Sequence, residues 1–427
     1  MITRRQFLTS FTAIAGAAAF APGALAQNFV GASTSISPKT AISGKLATHT
    51  GNVFDQSLPA MLTAASPAAL TGAIAAYEEI AAAGGWPEVP KAKLVKGAKN
   101  PTVIVLRQRL VRENYLPFDA LNGDKPEVYD ADIVEAVRTF QLSHGIAPSG
   151  NVDDRTRAEL NISAEARLFT LRENQPRVVT YMQGLGRRNI LVNIPSAQLE
   201  AVQDGIVYAR HNVVCGKLER PTPSLMSKVS DVNFNPYWKA PASIVERDII
   251  PKYLKDPAYL EQMNIHVFDG IGGPEIDPAT VDWANTPADR YFFRQEQGDN
   301  NALGTVKINF KNEFMVYMHD TPHREDFGGN ARYQSSGCVR VDKVRDLVNW
   351  VMNGQDGYTD ATFEMINASQ ESYVTKVQDP PDVRFMYLTA WAMEDGTVNF
   401  RPDIYSLDGT GFILGQPDPA VQATSGL

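Results

Sequence analysis

Between residues 317 and 341 the chain reads Tyr317-Met318-His319-Asp320-Thr321-Pro322-His323 and later Ser335-Ser336-Gly337-Cys338-Val339-Arg340-Val341. A cysteine is a nucleophile only as its thiolate, and a free thiol titrates near pH ~8.5, so it needs a base beside it. His319 is the candidate base for Cys338. Acyl transfer also needs N–H donors aimed at the oxygen that gains charge. Gly337 permits close backbone approach, which makes the main-chain amides of Gly337 and Cys338 the candidate donors. A third group must orient the imidazole. His319 and His323 stand four apart, a spacing that suits two metal ligands on a helix, but Pro322 lies between them and the preceding residues read as strand. No metal site is expected there. The second cysteine, Cys215, closes an apolar run and reads as core packing.

The elements that must carry these groups are mostly strands. Runs of β type cover residues 189–194, 198–202, 206–208 and 212–215, with Asp204-Gly205 as a hairpin turn, and resume at 306–310 and 314–318. Tyr317 then shares a strand face with His319. A helix is expected over 344–352. Residues 240–300 interrupt the pattern with six prolines and a helical stretch at 248–254, and read as an insertion covering the sheet. Upstream, residues 58–83 are helical and stop at Gly84-Gly85-Trp86-Pro87. Residues 103–161 alternate apolar helical stripes with Gly145 and Gly150 turns, and a link is expected around Arg177. The tail is expected to pack back through strands at 385–388 and 398–400 around Asp395-Gly396.

The chain has 427 residues, 44% of them hydrophobic, which is enough for more than one domain. Its net charge of −8 argues against nucleic-acid binding. Two cysteines build neither a disulfide scaffold nor a cysteine-based zinc cluster. Residues 1–26 read as an export signal: Thr3-Arg4-Arg5-Gln6-Phe7-Leu8 resembles a twin-arginine signal, a short apolar run follows, and Ala24-Leu25-Ala26 suits a signal peptidase. Its removal takes away two arginines and no acids, moving the net charge to −10. The mature protein is expected in the periplasm, with no later run of about 18 apolar residues to cross a membrane.

Phe140-Gln141, His144-Gly145-Ile146, Gly150, Val152-Asp153, Thr156 and Leu160 resemble the three-helix peptidoglycan-binding domain. Ser335, Gly337, Cys338 and Arg340, with His319 upstream, resemble the catalytic motif of the L,D-transpeptidases. Residues 234–238, 301–304, 319–322 and 387–391 extend that resemblance to the large periplasmic class, in which helices and a peptidoglycan-binding domain precede the catalytic domain. The implied fold is α+β and multidomain: a flexible lead-in at 27–57, a helical scaffold at 58–100, a peptidoglycan-binding-like domain at 101–165, a mostly β catalytic domain at 178–375 with a capping insertion at 240–300, and a tail at 376–427.

The resemblance implies Cys338 as nucleophile, His319 as general base and acid, and the Asp320 carbonyl as the group that orients the imidazole. Substrate would be peptidoglycan stem peptides: Cys338 attacks the bond between diaminopimelate and D-alanine of a tetrapeptide, and a second diaminopimelate amine resolves the thioester into a 3→3 crosslink. No metal or organic cofactor is implied. Tyr317, Arg340 and Trp238 are candidate substrate contacts, each with a packing role as the alternative. Transfer to water, to a lipoprotein or to a free D-amino acid uses the same residues, and a wall-binding protein with a relic site is the non-enzymatic alternative.

Overall fold

A computed structural model describes residues 59–329 and 331–417, all within one compact unit. The expected export signal, the whole of the lead-in and the last ten residues lie outside the described residues. Alanine- and leucine-rich residues form α1 (Ser66–Ala82). Next come α2 (Thr102–Arg112), α3 (Ala131–Ser143) and α4 (Asp154–Leu160), and the last two start at Asp130 and Asp153, whose carboxylates accept from the third residue of each helix. These three helices close a core of their own around Val103, Leu106, Ile133, Val137 and Phe140.

Where a link was expected around Arg177, a single helix α5 (Ala164–Met182) runs through Pro176. The fixed φ of proline discourages a helix interior, but here tertiary contacts hold the chain. Arg177 is fully buried, donating to Asp408 (2.6 Å) and to the carbonyls of Leu407 and Phe412 (2.9 Å each). Removing one partner of a buried pair strands the other, a loss of about 3–5 kcal/mol. Arg177→Met is therefore expected to lower the stability measured by urea denaturation by that amount, and Arg177→Met with Asp408→Ala to recover part of it.

The β region follows as β1 (Arg188–Asn193), β2 (Gln198–Gln203), β3 (Ile206–Gly216), β4 (Leu225–Phe234) and β5 (Trp238–Lys239), then helix α6 (Ile250–Lys255) and strands β6 (Ile265–Phe268), β7 (Phe292–Gln295), β8 (Val306–Phe310), β9 (Met318–His319), β10 (Tyr333–Ser335) and β11 (Val339–Val341). Helices α7 (Val344–Met352) and α8 (Asp360–Ser369) precede β12 (Tyr373–Lys376), β13 (Asp382–Met386) and the hairpin β14 (Ala390–Ala392) and β15 (Val398–Phe400). The main sheet runs β10-β3-β11-β9-β8-β4-β13-β1-β2, and closes on itself because the first half of β3 pairs β2 while its second half pairs β11 and β10. Alternation divides its side chains: Ile190 and Val192 face the inner core, and Leu191, Val202 and Val207 face a second core shared with α1 and α5.

Two expectations need correction. The tail does more than pack back: β13 lies between β4 and β1, pairing parallel with β1, so a catalytic boundary at residue 375 cuts the sheet. The strand expected over 314–318 is reduced to Met318–His319, because the Asn312 side chain grips Val316 through both its amide N–H and carbonyl, and Met315 takes a left-handed φ of +56°. The insertion has its own three-stranded sheet, β5-β7-β6, and a separate core around Val245, Ile249, Trp283 and Phe293.

Candidate active site

Strand register assembles the site. Arg340 on β11 stands opposite His319 on β9, which stands opposite Lys307 on β8, which stands opposite Asn233 on β4. Paired residues share a face, so the imidazole lies in a row between two cations. One step along that face, two residues before each, are Cys338 and Tyr317. Their backbones are tied where Val339 N–H donates to the Tyr317 carbonyl at 3.0 Å, and the Tyr317 hydroxyl reaches both the Cys338 thiol and Trp238. The rings of Tyr317 and His319 are 5.6 Å apart. Tyr317 therefore connects the thiol, the imidazole ring and Trp238, and register sets His319 one step along the face from Cys338.

His319 is buried, and its Nδ1 bonds the Asp320 carbonyl at 2.5 Å. With the Nδ1 proton committed there, Nε2 is left as the acceptor. The Asp320 carbonyl is held by its own side chain, which sequence reading missed. That carboxylate accepts from Thr305 N–H (2.9 Å) and hydroxyl (2.7 Å) and pairs with Arg324 (2.8 Å). A Cβ on Gly304 would meet the Asp320 side chain at 2.5–2.7 Å, which is why the turn after Asn301 ends in glycine. Burial, then the charges of Arg340 and Lys307, push the imidazole down to about 3. Burial also raises the Cys338 thiol, against the opposing pull of Tyr317, Lys307 and Arg340. Both groups are neutral at pH 7, a thiol and an imidazole rather than a thiolate and an imidazolium.

The loop that carries Cys338 is stapled at several points. Ser335 Oγ donates to the Cys338 carbonyl at 2.6 Å and accepts from Gly337 N–H at 3.1 Å. Of the two expected oxyanion donors, the Gly337 amide is thus already engaged, and the Cys338 amide is the one left without a protein acceptor among the described residues. Gly337 instead supplies the turn, with φ of +112°. Thr222 Oγ donates to its carbonyl at 2.9 Å. Arg220 bonds Ser336 Oγ (2.8 Å) and pairs with Asp248 of the insertion (2.6 Å), joining the two segments.

Arg340 is committed to Asp326 at 2.8 Å, which matches a loop-holding role better than a free substrate contact. Trp238 is half-buried, packed against the core of the insertion. His323 is exposed beside Glu325, away from the imidazole of His319 in bonding terms. Cys215 is fully buried in the main core and its thiol is pushed up to about 12 by burial. Both cysteines are free. Lys307 escaped sequence reading because it is one polar residue in an alternating strand, and only register reveals its neighbours.

Comparison with known proteins agrees with this arrangement at the level of domains. Residues 187–363 match the YkuD family, described as "L,D-transpeptidase catalytic domain", and residues 99–160 match a family described as "Putative peptidoglycan binding domain". A curated protein of Haemophilus influenzae named "Putative L,D-transpeptidase" is 36% identical over 220 residues, 51% of this chain and 44% of that protein. The match thus spans less than half the length of that relative. Among solved structures, an L,D-transpeptidase from Xylanimonas cellulosilytica is similar at 16% identity over 69% of this chain and 98% of its own, with a TM-score of 0.22. One from Stackebrandtia nassauensis is similar at 12% identity over 70% and 96%, with a TM-score of 0.23.

Proposed function

Because residues 187–363 match an L,D-transpeptidase catalytic domain, we propose that the chain is an exported peptidoglycan L,D-transpeptidase acting in the periplasm through a Cys338 thioester. The observation that carries this reading is the pairing of β9 with β11, which puts Cys338 beside Tyr317 and one step from an imidazole whose Nδ1 is tied to the Asp320 carbonyl.

The resting pair is neutral, so the thiol gives its proton to His319 Nε2 as its sulfur bonds the diaminopimelate carbonyl carbon of a tetrapeptide stem. The Cys338 amide is the donor available to the oxyanion. The C–N bond then breaks, D-alanine leaves with the proton from Nε2, and a thioester remains. A side-chain amine of a second stem attacks the thioester, giving a proton to Nε2, and sulfur leaves and is reprotonated. The product is a 3→3 crosslink between diaminopimelates. The three-helix domain at 99–160 supports delivery to the wall, with glycan strands as its ligand.

Intact-mass analysis of the protein with tetrapeptide muropeptides tests the proposal. The expected result is an adduct on the peptide containing Cys338, release of D-alanine and a 3→3 dimer. Adduct with tripeptide as the sole product would make water the acceptor and the protein a hydrolase. The absence of both adduct and product would overturn the enzymatic reading.

A further inference from the structure

Of the two cations that flank His319 in register, only one is neutralised. Arg340 is paired with Asp326, whereas Lys307 has no carboxylate within ion-pair distance among the described residues. Its ammonium lies 4.0 Å from the centre of the Tyr317 ring, and that tyrosine touches the thiol. The side chain is half-buried. Asp231, the acid whose field it feels, is already held by Ser230, Asn309 and Lys376, and Lys239 adds a second positive charge nearby.

A half-buried cation without a counter-ion costs free energy unless something supplies the negative charge. The catalytic pair does not supply it. Lys307 favours a thiolate on Cys338 but disfavours an imidazolium on His319, so moving a proton from one to the other gains little from its field. The ring face beneath it offers a weaker attraction than a carboxylate. An anion entering with the substrate is the remaining partner.

We propose that Lys307 binds the terminal carboxylate of the donor stem and thereby sets the scissile carbonyl against Cys338. This rests on the transpeptidase reading above. In a tetrapeptide donor the carboxylate of the leaving D-alanine is three bonds from the carbonyl carbon that the thiol attacks. A cation over the ring that touches that thiol is in the right neighbourhood to hold it, and the carboxylate would neutralise it. Lys307 would thus select stems that end at the fourth residue with a free acid.

The test compares acylation of the full-length protein by a disaccharide tetrapeptide and by the same compound ending in D-alaninamide. Wild type is expected to favour the free acid by about 10- to 100-fold, the range for a hydrogen bond between charged groups. Lys307→Met, which keeps the stem over Tyr317, should lose most of that preference, chiefly through KM, because acylation by the free acid slows far more than acylation by the amide. Alkylation of Cys338 by iodoacetamide reports separately that the thiol remains in place. Equal slowing of both substrates by Lys307→Met would overturn the assignment in favour of an action on the thiol. Equal acylation of wild type by acid and amide would overturn it whatever the variant does. No thioester in wild type from either compound would instead sink the transpeptidase reading on which the assignment rests.

Discussion

Cys338→Ala is expected to form no adduct with a tetrapeptide stem and to lose crosslinking by at least about 10⁴-fold, the scale seen when a nucleophile is removed from a working catalytic set. The fold should survive, because the bonds that hold the loop use main chain at this position: Ser335 Oγ donates to the Cys338 carbonyl, and Thr222 Oγ to the carbonyl of Gly337. The control is the other cysteine. Cys215 sits in the main core with its thiol pushed up to about 12, far from a nucleophile's range. Cys215→Ala should cost some stability through the cavity it leaves but keep the adduct at Cys338. Mass spectrometry of both variants after incubation with tetrapeptide reads this directly. A Cys338→Ala protein that preserved all cellular activity of the wild type would favour the non-catalytic wall-binding alternative.

The candidate nucleophile and base could be picked out of the sequence because their chemistry is local: Ser335 to Arg340 form one contiguous box, and His319 ends a run of β type. The orienting carbonyl was legible only through family resemblance. What stayed hidden depends on register between distant strands. Lys307 is two strands away from Cys338, and nothing in residues 306–310 marks it as a neighbour of the thiol. The carboxylate of Asp320 was likewise invisible, since its partners Thr305 and Arg324 come from different segments. The missed central place of β13 has a similar cause, because a parallel strand pairs across nearly the whole domain and leaves no turn to announce it. The shortened strand before His319 shows a side chain overriding propensity, as Asn312 captures the backbone of Val316.

His319→Gln should slow acylation by about 10³-fold, within the range for loss of a positioned general base, and the pH dependence distinguishes this from a packing defect. In wild type, burial and two neighbouring cations push the imidazole down to about 3, so the neutral base persists through mildly acidic pH. An imidazole at its ordinary value of about 6.5 would be about 3% neutral at pH 5, and acylation would fall about 25-fold between pH 7 and 5. The expected rate is instead nearly flat over that interval. Stability moves with the opposite sensitivity. His319 and the buried His211, pushed down to about 4, are neutral in the folded chain but protonate when it unfolds, so the unfolded state binds more protons from about pH 6.5 down to the folded values. Stability therefore falls as pH falls through that window, by about 1–2 kcal/mol for each group at pH 5. Urea denaturation at pH 7 and pH 5 should show that loss in wild type and a smaller one in His319→Gln, while acylation of wild type below the denaturation threshold holds steady. A drop of about 25-fold in wild-type acylation by pH 5 would mean that the imidazole is accessible to solvent and that the neutral thiol–imidazole pair is wrong.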